Sequence, residues 1–461
     1  MIGKVLRFAA PIGAAAAVLA AVVTSPAGAA ATGSNGSPAR SPRISGVAQL
    51  GARGTQVVGS STRTTCMLPG AGNYLADCNS STRPTNETSI ASNGSVYVAG
   101  ANDYNSYNGN ADLGFYWSMD AKTWHDNGPL DLFAQGTNHA AGDPGLAIDG
   151  ANVAYYSSIY FDYFDCVIGG VELSRRDPAT GAWANTEIKT NTSNAFQDKP
   201  AIAQDEAHVF VSWDEYLGCF GSSGMSKTRV AVFDGGPVPT PVVAMLTVPG
   251  TTNSAGSALA PDGSGGGFFL ALEDFAPAGS SIKLYHYGLE TGWSDPQVIS
   301  PPTFTDLPSP LPGFAFRDNS FPMLTVVGGQ PKVVWSSHDT GVGRTYLWSN
   351  GSVSMVSNSG GDQFFPSIAA SSTGQLAISW SQTNQANQTY DQYLSVGGGA
   401  ASKISNYPSK PNQDCIFAGT FIGDYNSTVV VGETAHPIWT QVTRPATACV
   451  GKAQDALVYA P

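Results

Sequence analysis

The stretch Ile90-Ala91-Ser92-Asn93-Gly94-Ser95-Val96-Tyr97-Val98-Ala99 contains a short strand, a tight Ser-Asn-Gly turn and a second strand of β-branched, aromatic and small residues. This pattern is typical of a β-hairpin. It recurs along the chain. First strands that end in a small or β-branched residue occur at Ile90-Ala91, Leu146-Ala147, Ile202-Ala203, Leu259-Ala260, Leu324-Thr325, Ile368-Ala369 and Thr428-Val429.

The spacing of these repeats predicts the fold. Successive repeats are 56, 56, 57, 65, 44 and 60 residues apart, and a third strand follows, as in Leu113 to Trp117. Repeated units of three or four antiparallel strands pack radially around a channel. The sequence therefore predicts an all-β, single-domain β-propeller with seven blades, and six blades remain the alternative. The last unit ends after its third strand, Ala456 to Tyr459, so we expect an N-terminal strand near Val47 to Val58 to close the ring.

The N-terminus has the features of a bacterial export signal. Lys4 and Arg7 precede an apolar run from Phe8 to Val23, and Ala27-Gly28-Ala29 offers a cleavage site. The run is short for a membrane span, so we expect a cleaved signal over residues 1–29 and no membrane anchor. Residues 30–45 have the composition of a disordered leader, and residues 46–461 form the propeller. These features predict a secreted, extracellular protein.

Charge and motifs exclude several classes of function. The formal net charge is −12, and cleavage removes Lys4 and Arg7 but no acid, which gives −12 − 2 = −14. This charge argues against a nucleic-acid partner. The six histidines lack zinc-site spacing, and no nucleophile-elbow or phosphate-loop motif occurs. We expect a monomer that requires no cofactor, with an acidic mouth compatible with calcium.

Six cysteines in an exported chain predict three disulfide bonds. In chain order they group as Cys66 with Cys78, Cys166 with Cys219 and Cys415 with Cys449, although six cysteines allow fifteen connectivities. Cys166 and Cys219 occupy matching positions in neighbouring repeats, so a bond between them would join two loops at the same end of the propeller.

Polar residues collect at one end of the predicted channel, which we call the mouth. Antiparallel connectivity places the start of each inner strand and the end of each second strand there. The residues at these positions that we predict to bind a ligand are Asp103, Tyr104, Asp198, Lys199, Asp214, Tyr216, His338, Asp362 and Asp424. Capping of backbone amides is the alternative role for any one of the acids.

Aromatic residues accompany these acids in the first four repeats. They are Tyr104, Tyr107, Tyr160, Phe161, Tyr163, Tyr216 and Phe275. Aromatic faces beside carboxylates suit the C–H faces and hydroxyl groups of sugar rings. The mouth therefore predicts a glycan or another polar extracellular ligand, with packing of the rim as the alternative for each ring.

Several of these runs resemble the secreted bacterial sialidase-like propellers with BNR repeats, from about residue 84 to the end. The resemblance rests on residues 86–91, 98–104, 362–366, 421–425 and 436–440. The Asp-box of that family survives in shortened form as Ser118-Met119-Asp120-Ala121-Lys122-Thr123-Trp124, which we interpret as a structural turn on the opposite face.

The resemblance implies a set of catalytic residues. A sialidase binds its substrate carboxylate with three arginines and uses a tyrosine nucleophile, a glutamate base and an aspartate acid. The matching residues here are Arg83, Arg317, Arg444, Tyr425, Glu87 and Asp143. The Phe-Arg-Ile-Pro motif that supplies the first arginine of the family is absent, and ion pairing with acids is the alternative role for the arginines.

Two functions follow from these features. The first is an exo-acting glycoside hydrolase of sialidase type that acts at the mouth. The second is a non-catalytic propeller that binds glycans or proteins outside the cell. Clustered arginines with Tyr425 beside Glu87 would favour the enzyme, whereas arginines paired with acids would favour the binding protein.

Overall fold

A computed structural model describes residues 72–77, 84–104, 112–130, 139–251, 253–276, 279–414, 416–442 and 454–461. Several sequence predictions lie outside these ranges. They concern the signal over 1–29, the leader over 30–45, the segment Val47 to Val58, and residues Cys66, Cys78, Arg83, Tyr107, Cys415, Arg444 and Cys449. Within the described ranges, no helix has the length and apolar character needed to span a membrane.

Seven antiparallel sheets form the seven blades that the repeat predicts. Blade 1 contains β2 (Thr85–Ser92), β3 (Tyr97–Asp103), β4 (Asp112–Ser118) and β5 (Trp124–Leu130). Blade 2 contains β6 (His139–Ile148), β7 (Ala154–Asp162), β8 (Gly169–Arg176) and β9 (Trp183–Thr190). Blade 3 contains β10 (Ala195–Gln204), β11 (His208–Leu217), β12 (Ser226–Asp234) and β13 (Pro241–Thr247).

The remaining blades follow the same order from the inner strand outward. Blade 4 contains β14 (Ser254–Pro261), β15 (Gly267–Ala276), β16 (Gly279–Gly288), β17 (Gly292–Trp293) and β18 (Gln297–Val298). Blade 5 contains β19 (Met323–Val327), β20 (Gln330–Ser337), β21 (Arg344–Ser349) and β22 (Ser352–Met355). Blade 6 contains β23 (Gln363–Ala370), β24 (Leu376–Asn384), β25 (Thr389–Val396) and β26 (Ser402–Lys403). Two 3₁₀ turns, Cys219–Gly221 and Pro411–Gln413, lie between strands.

Blade 7 is built from both ends of the described chain. Its strands are β27 (Ser427–Val431), β28 (Thr434–Gln441), β29 (Asp455–Tyr459) and, as the outer strand, β1 (Asn73–Leu75). β1 pairs with β29 through the register Asn73 to Tyr459. Closure by an N-terminal strand is therefore confirmed. The predicted position near Val47 to Val58 is wrong, because Asn73–Leu75 occupies the outer position.

Apolar side chains between neighbouring sheets form the core. The second strands of four blades each bury a tryptophan completely, at Trp213, Trp335, Trp380 and Trp439. Ile90 and Ala99 of blade 1 pack in one cluster with Ile438 and Val458 of blade 7, so the first and last blades share a continuous core. Burial of large aromatic surfaces between sheets stabilises a ring whose blades have no core of their own.

The shortened Asp-box forms the turn between β4 and β5, as predicted. The Asp120 carboxylate accepts hydrogen bonds from the amides of Lys122 (2.8 Å) and Thr123 (2.6 Å). Trp124 is buried, and its indole N–H donates to the Ala121 carbonyl (2.9 Å). Ala121 has a left-handed φ of 58°. The motif therefore keeps its structural role.

Candidate functional site

Seven equivalent positions surround the channel at the mouth, one in each blade. Each lies three residues before the residue pair that marks the first strand of its repeat, as Glu87 does before Ile90-Ala91. Together these seven positions form what we call the inner ring. The inner ring consists of Glu87, Asp143, Lys199, Gly256, Phe321, Phe365 and Tyr425. Sequence reasoning selected four of these, Glu87, Asp143, Lys199 and Tyr425, from the polar starts of the inner strands.

A bulge in the inner strand places these residues. The pairing register shifts between Asn86 and Ser89 in blade 1, and matching shifts occur in blades 2, 3, 4 and 6. Glu87, Asp143 and Lys199 adopt left-handed φ angles of 54°, 57° and 49° within these bulges. A bulge re-aims the side chain at its centre, and such strained backbone is found preferentially at functional sites.

Asp424 is the anion at the centre of the inner ring. Arg317 binds it with two parallel hydrogen bonds, from Nε to Oδ1 (2.7 Å) and from Nη2 to Oδ2 (2.5 Å). Lys199 also donates to Asp424 Oδ2. All three groups are largely buried, with side-chain exposures of 13%, 6% and 4% for Arg317, Lys199 and Asp424. A fork-shaped guanidinium pair and a second cation hold this carboxylate in one orientation.

The charges in this cluster stabilise one another. Burial opposes ionisation of Asp424, but Arg317 and Lys199 hold the pKa of its carboxyl below the usual value. Burial likewise opposes the charge of Lys199, and Asp424 outweighs it and raises the lysine pKa. Arg317 also lies 3.7 Å from Glu87 Oε1. The cluster is thus a buried ion network, the role that we gave as the alternative for the arginines.

Glu87 and Asp143 form a second pair of carboxyl groups beside this network. The Asn102 amide donates to Glu87 Oε2 (2.6 Å), and its Oδ1 accepts from the Asp143 backbone N–H (2.8 Å). The backbone N–H of Lys199 donates to Asp143 Oδ2 (3.1 Å). Burial first, and then the charges of Asp143 and Asp424 with a hydrogen bond to Asp143, raises the pKa of Glu87 well above its usual value. The surroundings of Glu87 therefore favour the protonated form of its carboxyl group.

Tyr425 lies at the edge of this pair. Burial raises the pKa of its phenol well above the usual value, and the carboxylates of Glu87, Asp143 and Asp424 raise it further. The hydroxyl oxygen lies 3.5 Å from the Pro144 carbonyl. The phenol is therefore neutral and needs a base before it can act as a nucleophile.

Tyr425 and Lys199 also line a cavity along the channel axis. The cavity has about 830 Å³ of space, part of it open to solvent. Below the inner ring its wall becomes apolar, with residues Ile90, Leu146, Ile202, Leu259 and Leu324. Tyr425 and Lys199 thus sit at the polar end of this cavity, whereas Glu87 and Asp143 are completely buried and do not line it.

Aromatic side chains cover the mouth above the ion network. Phe417 and Phe421 pack in one cluster with Tyr104 and Tyr216, and both tyrosines are completely buried. The Arg317 guanidinium lies 4.7 Å from the centre of the Phe421 ring, a cation–π geometry. Rim packing is therefore the role that the structure gives to Tyr104 and Tyr216, which present no exposed face to a sugar.

The other predicted ligand-binding residues occupy three different environments. Asp198 is buried next to the network and acts electrostatically on Lys199 and Arg317. Asp103 is buried in blade 1, where it accepts from the Tyr116 hydroxyl (3.1 Å). His338 is half-buried in the loop after β20, and its backbone N–H donates to the Thr305 carbonyl (2.7 Å).

Asp214 and Asp362 act as caps for backbone amides. Asp214 accepts from the Gly256 N–H (2.9 Å) and from the Thr228 hydroxyl (3.2 Å), and burial raises its pKa to about 7. Asp362 accepts from the Gly343 N–H (2.8 Å) and the Gln385 amide (2.9 Å). The capping alternative holds for these two acids.

Cys166 and Cys219 form a disulfide bond between the loops that follow the second strands of blades 2 and 3. The structure therefore contains the predicted link between neighbouring loops. The other four cysteines lie outside the described residues. In the part of the chain that the structure describes, no group of three or more histidine, cysteine, aspartate or glutamate side chains is arranged to hold a metal ion.

Sequence reasoning missed three kinds of residue. Asn102 orients both carboxyl groups, and its position next to Asp103 was a usable signal. Phe321 and Phe365 fill inner-ring positions, which alignment of the repeats identifies. Phe417 and Phe421 cover the mouth, and no local pattern indicates where their loop docks.

Comparisons with known proteins give limited similarity. No family model matches the chain, and no curated protein matches it. Among solved structures, the chain is similar to a protein of unknown function from Dyadobacter fermentans, with 12% identity, coverage of 68% of this chain and 96% of that one, and a TM-score of 0.43. It is also similar to a Penicillium chrysogenum α-L-arabinanase solved with arabinobiose, with 11% identity, coverage of 84% and 98%, and a TM-score of 0.42. An ulvan lyase of polysaccharide lyase family PL25 shows 9% identity, coverage of 86% and 94%, and a TM-score of 0.45. Similarities at this level assign no activity to this chain.

Proposed function

We propose that this protein is an extracellular, carbohydrate-directed propeller that hydrolyses glycosidic bonds at the inner ring. One observation carries the proposal. Glu87, whose pKa is raised by burial and by the neighbouring Asp143, lies with Asp143 beside Tyr425, which lines the central cavity. Two carboxyl groups and a phenol in one place can supply an acid, a base and a nucleophile.

The raised pKa of Glu87 fits the role of general acid, whereas the resemblance implied that Glu87 is the base. A carboxyl group with a raised pKa suits the role of general acid, and in the proposed reaction its neighbour Asp143 acts as the base. In the proposed reaction the Tyr425 oxygen attacks the anomeric carbon as its proton passes to Asp143. Glu87 gives its proton to the departing oxygen. Water then cleaves the glycosyl–tyrosine bond: its hydroxyl goes to the anomeric carbon and its proton to Glu87, while Asp143 returns its proton to the Tyr425 oxygen, so the net reaction consumes one water.

The finer form of the proposal is the exo-acting sialidase type, the class in which tyrosine replaces a carboxylate nucleophile. Arg317 would then bind the carboxylate of the sugar. In the ligand-free protein Asp424 occupies both donors of the guanidinium fork. Binding of an acidic sugar therefore requires that its carboxylate displace Asp424 from Arg317.

The second candidate is the non-catalytic binding propeller, and two contacts favour it. Arg317 is already neutralised by Asp424, and Phe417 and Phe421 cover the mouth. A ring of buried, mutually satisfied charges serves to hold blades together without chemistry. Turnover by the purified protein separates the two candidates.

We expect the mature protein to hydrolyse at least one member of a panel of fluorogenic glycosides that contains a sialoside and neutral sugars. Tyr425→Phe and Glu87→Gln should each lower kcat/KM by at least about a hundredfold. Tyr346→Phe is the matched control, because its hydroxyl donates to Asp339 (2.8 Å) in blade 5, away from the inner ring. No turnover by the wild type, or full activity of Tyr425→Phe, would reject the enzyme and leave the binding protein.

A further inference from the structure

A second cleft lies between blades 5 and 6, at the same end of the propeller as the mouth. It encloses about 870 Å³, including its open part. The loop before β23, the end of β24 and the start of β25 form its walls, and Val342 of blade 5 completes it. None of the residues that line it lines the central cavity.

The side chains that line this cleft are suited to hydroxyl groups. They include the amides of Gln382, Asn384 and Gln385, the carboxylate of Asp391 and the ring of Tyr393. No lysine, arginine or histidine is among them, and the nearby cations Arg344 and Lys403 are bound to the Gly361 carbonyl and to Asp391, which favours a neutral ligand over phosphate, sulfate or an acidic sugar. Amide and carboxylate groups beside an aromatic ring are the usual environment of a neutral sugar.

Gln382 carries a donor that the protein does not use. The residue is 7% exposed, and its Oε1 accepts from the Gln363 amide (3.3 Å) and the Trp380 indole N–H (3.4 Å). Two donors on Oε1 fix the orientation of the amide, so the NH2 group is at the cleft end. Among the described residues, no acceptor lies within hydrogen-bonding distance of this NH2 group. The NH2 group is open to the cleft, where a ligand hydroxyl or water can accept its hydrogen bonds.

Glycine at position 360 leaves the space in front of this donor. Gly360 has a left-handed φ of 76°, and a Cβ built there would lie 1.9 Å from Gln382 Nε2. Any other residue would therefore displace the amide or block it. Arg344 holds the adjacent backbone, because its guanidinium donates to the carbonyl of Gly361 (2.9 Å).

Asp391 and Tyr393 provide the acceptor and the stacking surface. Lys403 (2.9 Å) and Ser405 (2.9 Å) both donate to Asp391 Oδ1, so Oδ2 keeps its lone pairs for a ligand hydroxyl. Tyr393 lies nearly parallel to the buried Trp380, with ring centroids 6.1 Å apart and an interplanar angle of 12°. Trp380 thus fixes the ring of Tyr393, which remains half-buried at the cleft.

We propose that this cleft binds a neutral oligosaccharide, with one sugar ring on Tyr393, a hydroxyl oxygen on the Gln382 amide and a hydroxyl donor on Asp391. The proposal rests on the proposed function only in that the ligand is a glycan. It does not require that the inner ring be catalytic. The cleft would hold a polysaccharide chain on the same face of the propeller as the mouth.

Calorimetric titration tests the proposal, with cellohexaose, xylohexaose, arabinohexaose and mannohexaose as neutral probes and hexagalacturonate as the anionic one. Tyr425→Phe serves as the reference protein, so that hydrolysis does not consume the ligand. In this background, which leaves the cleft as it is in the wild type, at least one neutral hexasaccharide should bind with a measurable Kd, and the cleft variants are compared in the same background. Tyr393→Ala should raise that Kd about tenfold.

Two further variants keep the test independent of folding. Asn384→Ala changes an exposed residue of the cleft and should raise the same Kd several-fold, about the effect of one lost hydrogen bond. Gln297→Ala changes an exposed amide of blade 4 and should leave it unchanged. The proposal is overturned if no neutral hexasaccharide binds, if both cleft variants bind as tightly as the wild type, or if hexagalacturonate binds best. Failure of hydrolysis with intact binding would reject only the catalytic role of the inner ring.

Discussion

At the scale of single residues, one backbone position gives different chemistry in different blades. Three consecutive blades place Glu87, Asp143 and Lys199 on the same left-handed bulge, with φ angles within 8° of one another. Blade 4 places Gly256 there, where a Cβ would lie 2.0 Å from the Phe321 ring of blade 5. The fold thus fixes where each side chain points, and the residue type alone decides whether the position is acidic, basic or apolar.

Asp214 gives a prediction of how stability depends on pH. Burial raises its pKa to about 7, whereas an exposed aspartate in the unfolded chain titrates near 3.8. Between these values the folded protein binds more protons than the unfolded chain, so this group makes stability fall as the pH rises from about 4 to about 7. Asp214→Asn should flatten that fall, because an amide can accept from Gly256 and donate to Thr228 without ionising.

Urea unfolding at about pH 4.5, 6 and 8 measures this effect. The variant should gain stability relative to the wild type as the pH rises. Asp295→Asn, an exposed change in blade 4, is the control and should follow the wild-type curve. Parallel curves for Asp214→Asn and wild type would show that Asp214 ionises normally in the folded protein.

The polar residues of the site could be predicted because they belong to the repeat. Glu87, Asp143 and Lys199 lie near the start of an inner strand and Tyr425 just before one, and a propeller brings all such positions to one end of one channel. What they do there depends on partners that no repeat specifies. The clearest example is Arg317, whose guanidinium group binds Asp424, a residue 107 positions away in the sequence.

At the scale of elements, the strands were easier to predict than their irregularities. The predicted third strand Leu113 to Trp117 lies within β4, and the predicted second strand Val96 to Ala99 overlaps β3. The bulges that build the inner ring were not predicted. A signal was present, because Asp143-Pro144 and Lys199-Pro200 place a proline inside a strand, where it cannot donate to the ladder. The place where a loop packs, as for the loop that contains Phe417, is not indicated by any local sequence pattern.

The disulfide bond gives a prediction at the same scale. Cys166 and Cys219 close a loop of 53 residues, for which chain entropy suggests a stabilisation of about 4 kcal/mol. Cys166→Ser with Cys219→Ser should lower the free energy of unfolding by about that amount in non-reducing urea titrations. The single variant Ser223→Ala changes an exposed hydroxyl in the same loop and should have a much smaller effect. An unchanged midpoint for the double variant would contradict a stabilising role of the bond.

At the scale of the whole molecule, stability depends on the contact that closes the ring. The β1 residue Asn73 is completely buried and joins blade 7 to blade 6. Its amide donates to the Ile404 carbonyl (2.9 Å), and its Oδ1 accepts from the Asn406 N–H (2.8 Å). The repeat predicted that closure was needed because the last unit lacks a strand. It could not locate the strand, because three residues carry too little pattern to distinguish Asn73–Leu75 from Val47 to Val58.

Asn73→Ala should destabilise the protein by about 2–4 kcal/mol, because it removes the hydrogen bonds to the buried Ile404 carbonyl and to the half-buried Asn406 N–H. Asn93 is the matched control. It also joins two neighbouring blades, through the Asp149 carbonyl (2.8 Å) and Asn152 Oδ1 (2.8 Å), but at the solvent-exposed face. Water can replace these bonds, so Asn93→Ala should cost clearly less in the same urea titration. If both variants lost the same free energy of unfolding, the ring-closing contact would contribute no more to stability than another contact between blades.

The pairing of Asn73 with Tyr459 also sets an order for folding. These residues are 386 positions apart, the difference of their numbers, so the closing contact has nearly the greatest loop-closure cost in the chain. During synthesis the first six blades can form in succession, but the seventh waits for the final strand. Until then the outward faces of blades 1 and 6 expose apolar surface that the finished ring buries. The growing chain is therefore most prone to aggregation just before its last residues are made.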